Sequence, residues 1–106
     1  MGTDAQLSKG ILEGCVLRLL KKDFRFSGEI VSAMREAGFD FSEGTLYPML
    51  LRLEKDGLFD VKREASPNGP PKKYYKLSVR GLERLREFED SWKEMSHNVN
   101  NIFGEV

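Results

Sequence analysis

A mainly helical fold carrying one small β-hairpin is what this sequence predicts, on three observations. Apolar residues recur at helical spacing in four separate stretches. A dense run of turn formers, Ser66-Pro67-Asn68-Gly69-Pro70-Pro71, sits between two short alternating segments. The last stretch keeps an apolar seam for nearly three heptads. With 106 residues, 40% apolar and 32% charged, the chain fits one folded domain and is not disordered. So short a chain has a thin core of its own, for which oligomerisation is a common remedy.

The first helix is expected from about Ser8 to Lys22, capped by Ser8, with Ile11, Leu12, Cys15, Val16, Leu19 and Leu20 at helical spacing. Gly14 inside it costs about 1 kcal/mol against Ala, which implies close packing by a neighbour. The loop Asp23-Phe24-Arg25-Phe26 leads to Ser27 as the cap of a second helix, about Gly28 to Ala37. That helix turns Ile30, Val31 and Met34 inward and stops at Gly38. Phe39 and Phe41 read as buried loop anchors.

Ser42-Glu43-Gly44-Thr45 opens a third helix, about 43–56, which ends at Asp56-Gly57. Pro48 lacks an N–H and belongs in or just after the first turn, with Thr45 as the effective cap. Leu46, Leu50 and Leu53 fall within about 60° of one another and form the buried stripe. Gly44, Tyr47, Pro48, Leu51, Arg52 and Lys55 then point outward. A Tyr, a Pro and a Leu beside two cations is not an ordinary solvent face, although Leu51 has no evident role there.

Two strands follow, Leu58 to Glu64 and Lys73 to Leu77, joined through Asn68-Gly69, the strongest hairpin signal in the chain. Ser78 caps a final helix reaching about Phe103. Its Leu85, Phe88, Trp92, Met95, Val99 and Ile102 are spaced 3-4-3-4-3, and Leu82 and Phe103 broaden the seam. A solitary long helix on a small domain cannot bury its own Trp, so these six residues read as a dimer interface.

Three helices, a hairpin and a long last helix, in that order, describe a winged helix-turn-helix over residues 1–78, with a dimerisation helix over 79–106 in the same compact unit. In that arrangement the third helix enters the DNA major groove and the hairpin, the wing at 59–77, reaches along the backbone. Charge agrees. Residues 59–76 carry Lys62, Arg63, Lys72, Lys73 and Lys76 against Asp60 and Glu64, a net +3, while residues 1–58 sum to −1 and 77–106 to −2. The basic excess, interleaved with Tyr74 and Tyr75, lies where a wing meets phosphate.

Other classes are excluded or weakened. Seventeen cations balance seventeen anions, so any nucleic-acid surface is a local patch. No apolar run is long enough to span a membrane. The start of the chain has neither a leader-like apolar region nor a myristoylation pattern, and with the single Cys15 a cytoplasmic location is expected. One cysteine also excludes an internal disulfide and a multi-cysteine zinc site. His97 is the only histidine, Cys15 has no basic partner in sequence, and Glu89-Asp90 fits a solvated helix face. No enzyme activity, metal or cofactor is therefore expected.

Ser42-Glu43-Gly44-Thr45-Leu46-Tyr47-Pro48, then Leu50, Arg52-Leu53-Glu54 and Asp56-Gly57-Leu58, closely resembles the PadR family of transcriptional regulators. The likeness continues through Gly69, Lys72-Lys73-Tyr74-Tyr75-Lys76-Leu77-Ser78 and Gly81 and covers roughly residues 8 to 103. The chain end resembles the branch with one C-terminal dimerisation helix. Two departures stand out. Where the family has an aromatic or His followed by Gly-Tyr-Glu-Ile, this chain has Phe26-Ser27-Gly28-Glu29-Ile30. Pro70-Pro71 stands where a Gly-Arg or Pro-Arg pair is usual.

The resemblance implies a homodimeric repressor that binds an inverted-repeat operator in double-stranded DNA. On this sequence the contacting residues would be Ser42, Gly44, Thr45, Tyr47, Pro48 and Arg52 of the third helix, with Lys72, Lys73 and Tyr74 of the wing. For Tyr47 there is an alternative, a hydroxyl that ties the third helix to the second. The resemblance further implies a cavity for a planar aromatic effector near Trp92, lined by Trp92, Phe88, Met95, Cys15 and Val16; equally, Trp92 is a plain interface anchor. The rival reading of the whole chain is a winged-helix module for protein–protein assembly without sequence-specific DNA function.

Overall fold

The computed structural model describes residues 10–104. Helix α1 (Ile11–Leu19) leads to a short strand β1 (Arg25–Phe26), followed by α2 (Ser27–Glu36) and α3 (Glu43–Lys55). Strands β2 (Phe59–Ser66) and β3 (Gly69–Leu77) form the hairpin, and α4 (Val79–Phe103) closes the chain. The mainly helical winged-helix architecture is as expected, but the sheet has three strands. It is antiparallel in the order β1-β3-β2, with Arg25 paired to Tyr75 and Phe26 to Tyr74. Two residues are too few for an alternation pattern to register, so β1 read as loop.

Several boundaries differ from expectation for local reasons. Gly10 sits at φ +85°, in the left-handed region, so α1 cannot run through it and starts at Ile11. The cap expected from Ser8 lies outside the described residues. At its other end α1 stops early because the Leu20 carbonyl accepts from the Leu77 N–H at 2.8 Å, tying the helix to β3. Ser27 is the first residue of α2 and not its cap. Instead the Glu29 carboxylate reaches back to accept from the Phe26 N–H at 3.0 Å. Ser42, rather than Thr45, caps α3: its Oγ accepts the Thr45 N–H. The hairpin turns on Pro67-Asn68 between the paired Ser66 and Gly69, one step earlier than the Asn-Gly reading. No residue in it has positive φ, and an irregularity between Glu64 and Ser66 adjusts the register.

The core lies between the helices and one face of the sheet. Val16, Leu17 and Leu20 of α1 and its end meet Ile30, Val31 and Met34 of α2, the Leu46-Leu50-Leu53 stripe of α3, and Phe59, Tyr75 and Leu77 of the sheet. Phe41 is buried, as a loop anchor should be, and the Arg35 guanidinium donates to its carbonyl at 2.7 Å. Ser78 caps α4 by accepting the Gly81 N–H and donates its own hydroxyl to the Gly57 carbonyl, which fixes the long helix to the end of α3. Gly81 then passes so close to the Leu58 carbonyl that no side chain fits between them.

Only the first half of α4 belongs to this core. Leu85, expected in the dimer seam, is sealed inside the chain's own core because α1 packs over it. Phe88 is half-buried against Gly14, the close approach that a glycine in mid-helix implied. Beyond them Trp92, Met95, Val99, Ile102 and Phe103 are all exposed among the described residues.

Candidate nucleic-acid interface

The N-terminus of α3 is open to solvent. Ser42 accepts the Thr45 N–H, and the two hydroxyls lie 3.3 Å apart, so both are oriented at the helix start. Gly44, Thr45, Tyr47, Pro48, Leu51 and Arg52 are exposed on one side, while the leucine stripe is buried on the other. Pro48 stands in the second turn, where its missing N–H leaves the Gly44 carbonyl without its usual intrahelical partner. This end carries the positive pole of the helix dipole, which suits an anionic oxygen.

Tyr47 ties α3 to α2, the alternative given for it. Its hydroxyl is 3.4 Å from Ser27 Oγ at the start of α2, yet half of the side chain remains exposed. Ser27, absent from the sequence-based site, is therefore the residue that orients it. Arg52 points elsewhere: its guanidinium donates to Glu13 of α1 at 2.6 Å, with Arg84 of α4 3.9 Å from the same carboxylate. The structure gives Arg52 a structural tie that the sequence did not suggest, because the partner is 39 positions away.

On the hairpin, Lys73 is paired with Glu54 of α3 at 2.8 Å, clamping the hairpin to that helix. Lys72 is exposed, its ammonium 4.2 Å from the centre of the Phe26 ring. Tyr74 is half-buried, meeting the Phe26 ring edge-on at 5.7 Å. Burial raises the Tyr75 hydroxyl's pKa above its ordinary value, with Lys73 acting in the opposite direction. Between the hairpin, the start of α2 and α3 lies a groove of about 440 Å³ lined by Ser27, Tyr47, Pro70, Pro71, Lys72 and Lys73. Three residues predicted from sequence are thus brought to one cleft.

The second cavity, about 630 Å³, lies between α1, α2 and α4 and is almost wholly apolar. Of the residues named for an effector cavity, Cys15, Phe88 and Trp92 line it. Val16 does not, because its side chain is fully buried in the core; nor does Met95, which sits further along the outer half of α4. Met34, Phe39 and Leu19 complete the wall, and the Arg18–Glu89 pair at 3.0 Å supplies the charge. Burial raises the Cys15 thiol above the usual thiol value. Among the described residues no helix is long and apolar enough to cross a membrane.

A family model of PadR-like transcriptional regulators matches residues 16–87, from α1 into the first turns of α4. The chain belongs to the PadR family. Among solved PadR-like structures, a transcription factor from Bacteroides fragilis is 42% identical and superposes with a TM-score of 0.80, covering 96% of this chain and 99% of that one. A PadR-like regulator from Bacillus cereus is 40% identical with a TM-score of 0.83, over 92% of this chain and 96% of its own. Bacillus subtilis PadR, solved in complex with operator DNA, shares the fold at 23% identity and a TM-score of 0.67, over 74% of this chain and 47% of that one. The chain is thus a PadR-family transcriptional regulator.

Proposed function

We propose that this PadR-family chain is a homodimeric repressor that binds an inverted-repeat operator and leaves it when a small planar aromatic molecule binds beside Trp92. The observation that carries the DNA reading is the cleft where Tyr47, Lys72 and Lys73 converge with Ser27 beside the open N-terminus of α3. Hydroxyls, ammonium groups and helix N–H groups around one groove match phosphate oxygens, which fix a protein's register on the duplex. The solved operator complex of Bacillus subtilis PadR, a protein of the same fold, supports it.

Dimerisation rests on the outer half of α4. Trp92, Met95, Val99, Ile102 and Phe103 expose a continuous apolar run, and each such side chain covered contributes about 1.5–3 kcal/mol. The effector reading rests on the apolar cavity lined by Cys15, Phe88 and Trp92, whose soft, polarizable wall accepts flat aromatic molecules. Such a ligand shifts the protein between states only through unequal affinity for them.

Fluorescence anisotropy with labelled duplex from the region upstream of the coding sequence, over a salt series, tests the DNA reading. Selective binding whose logarithm falls linearly with the logarithm of salt is the expected result. Equal, weak binding to scrambled duplex overturns it in favour of a protein–protein module. Quenching of Trp92 by planar aromatic cations or phenolic acids, with parallel loss of bound DNA, tests the effector.

A further inference from the structure

We propose that Phe24 and Phe26 form an aromatic clip that orders the wing lysines Lys62, Lys72 and Lys76 before DNA arrives, making both phenylalanines positioning residues for the wing. The inference rests on the wing being the backbone-contacting element proposed above.

Strand alternation sets up the clip. The pairs Glu64–Lys72, Lys62–Tyr74 and Asp60–Lys76 share one face of the hairpin, because Tyr75 and Leu77 take the other face into the core. Pairing of β1 with β3 places Phe26 beside Tyr74 on that outer face. The Lys72 ammonium lies 4.2 Å from the Phe26 ring centre. Lys62 lies 4.7 Å from the Phe24 ring and 5.7 Å from that of Tyr74, and Lys76 lies 5.8 Å from Phe24. At such distances an ammonium is attracted to the negative face of the ring.

Gly28 is part of the device. A Cβ there would meet the Phe26 ring at 2.7 Å, so the departure at Phe26-Ser27-Gly28 makes room for the ring over the start of α2. Lys73, on the opposite face, is paired with Glu54 at 2.8 Å. Of the three clipped lysines Lys62 is ion-paired, with Glu64 at 3.2 Å, while Lys72 and Lys76 stand across the hairpin from Glu64 and Asp60. A ring holds a lysine without cancelling its charge, and Lys62 and Lys72 stay exposed. Lysines already restricted lose less side-chain freedom on meeting phosphate.

The test uses the full chain, its upstream duplex and the variants Phe24→Leu, Phe26→Leu and Phe24→Trp. Leucine keeps an apolar side chain and removes the ring quadrupole. Each leucine variant is expected to weaken DNA binding about threefold with an unchanged unfolding midpoint, and Trp at position 24 to restore it. In the free protein, upfield-shifted ε-methylene protons of Lys62 and Lys72 should appear by NMR and move to ordinary positions in the matching leucine variant. Leucine variants that bind like wild type, or a loss that follows a lowered midpoint and is not restored by Trp, overturn the clip. Failure of the wild type itself to bind DNA overturns the underlying reading instead, a distinguishable outcome, and the proposal falls with it.

Discussion

The ring of Phe88 on α4 lies directly against the bare Cα of Gly14 on α1. That contact docks the long helix on the winged head, next to the Arg18–Glu89 pair. Gly14→Ala is expected to destabilise the protein by about 1–3 kcal/mol through overpacking, although Ala favours a helix by about 1 kcal/mol over Gly. Urea unfolding at fixed protein concentration measures it. Adding Phe88→Leu should recover part of the loss, since the smaller side chain vacates the site.

Arg52 and Glu13 join α3 to α1 at 2.6 Å, with the arginine more than half exposed. Arg52→Ala should therefore cost under about 1 kcal/mol of stability. Glu13→Gln releases the guanidinium and removes a negative charge, so DNA binding at low salt should tighten at least twofold. A double-mutant cycle on stability isolates the pair, and anisotropy reads the second effect.

Lys72 and Lys73 are neighbours in sequence but not in role. Lys72→Ala should weaken binding to all duplexes and reduce the salt slope by about one contact. Lys73→Ala removes the tie to Glu54, so its loss of affinity should be accompanied by faster amide exchange in the hairpin.

The seam divides at Phe88. Val99→Glu with Ile102→Glu is expected to yield a folded monomer by sedimentation, with loss of selective DNA binding. Leu85→Ala instead opens a cavity in the protomer, at a cost of about 2–5 kcal/mol.

Because burial raises the Cys15 pKa, less thiolate exists near neutral pH than in a free cysteine. Alkylation by iodoacetamide should be slow at neutral pH and keep accelerating past the usual thiol range. A planar aromatic ligand in the adjoining cavity should slow it further.

The legible parts of this chain were those written in short-range spacing. Leu46, Leu50 and Leu53 repeat at the helical period, so the buried and outward faces of α3 followed directly, as did the Ser78 cap and the reason for Gly14. Long-range partners carry no such signal. Nothing in the neighbourhood of Arg52 announces Glu13, nothing near Tyr47 announces Ser27, and β1 exists only because β3 pairs with it. Leu85 shows the same limit, since heptad spacing marks an apolar face without saying which chain covers it.

Val79–Phe103 is a single unbroken helix whose first half is packed into the core and whose Met95, Val99, Ile102 and Phe103 are exposed among the described residues. An isolated helical segment of that length is marginal in water. A partner that covers the arm would stabilise it by mass action, increasingly as that partner's concentration rises above its dissociation constant. If that cover is a second copy, the number of molecules in the cell sets how many arms are formed, and the chain meters its own abundance.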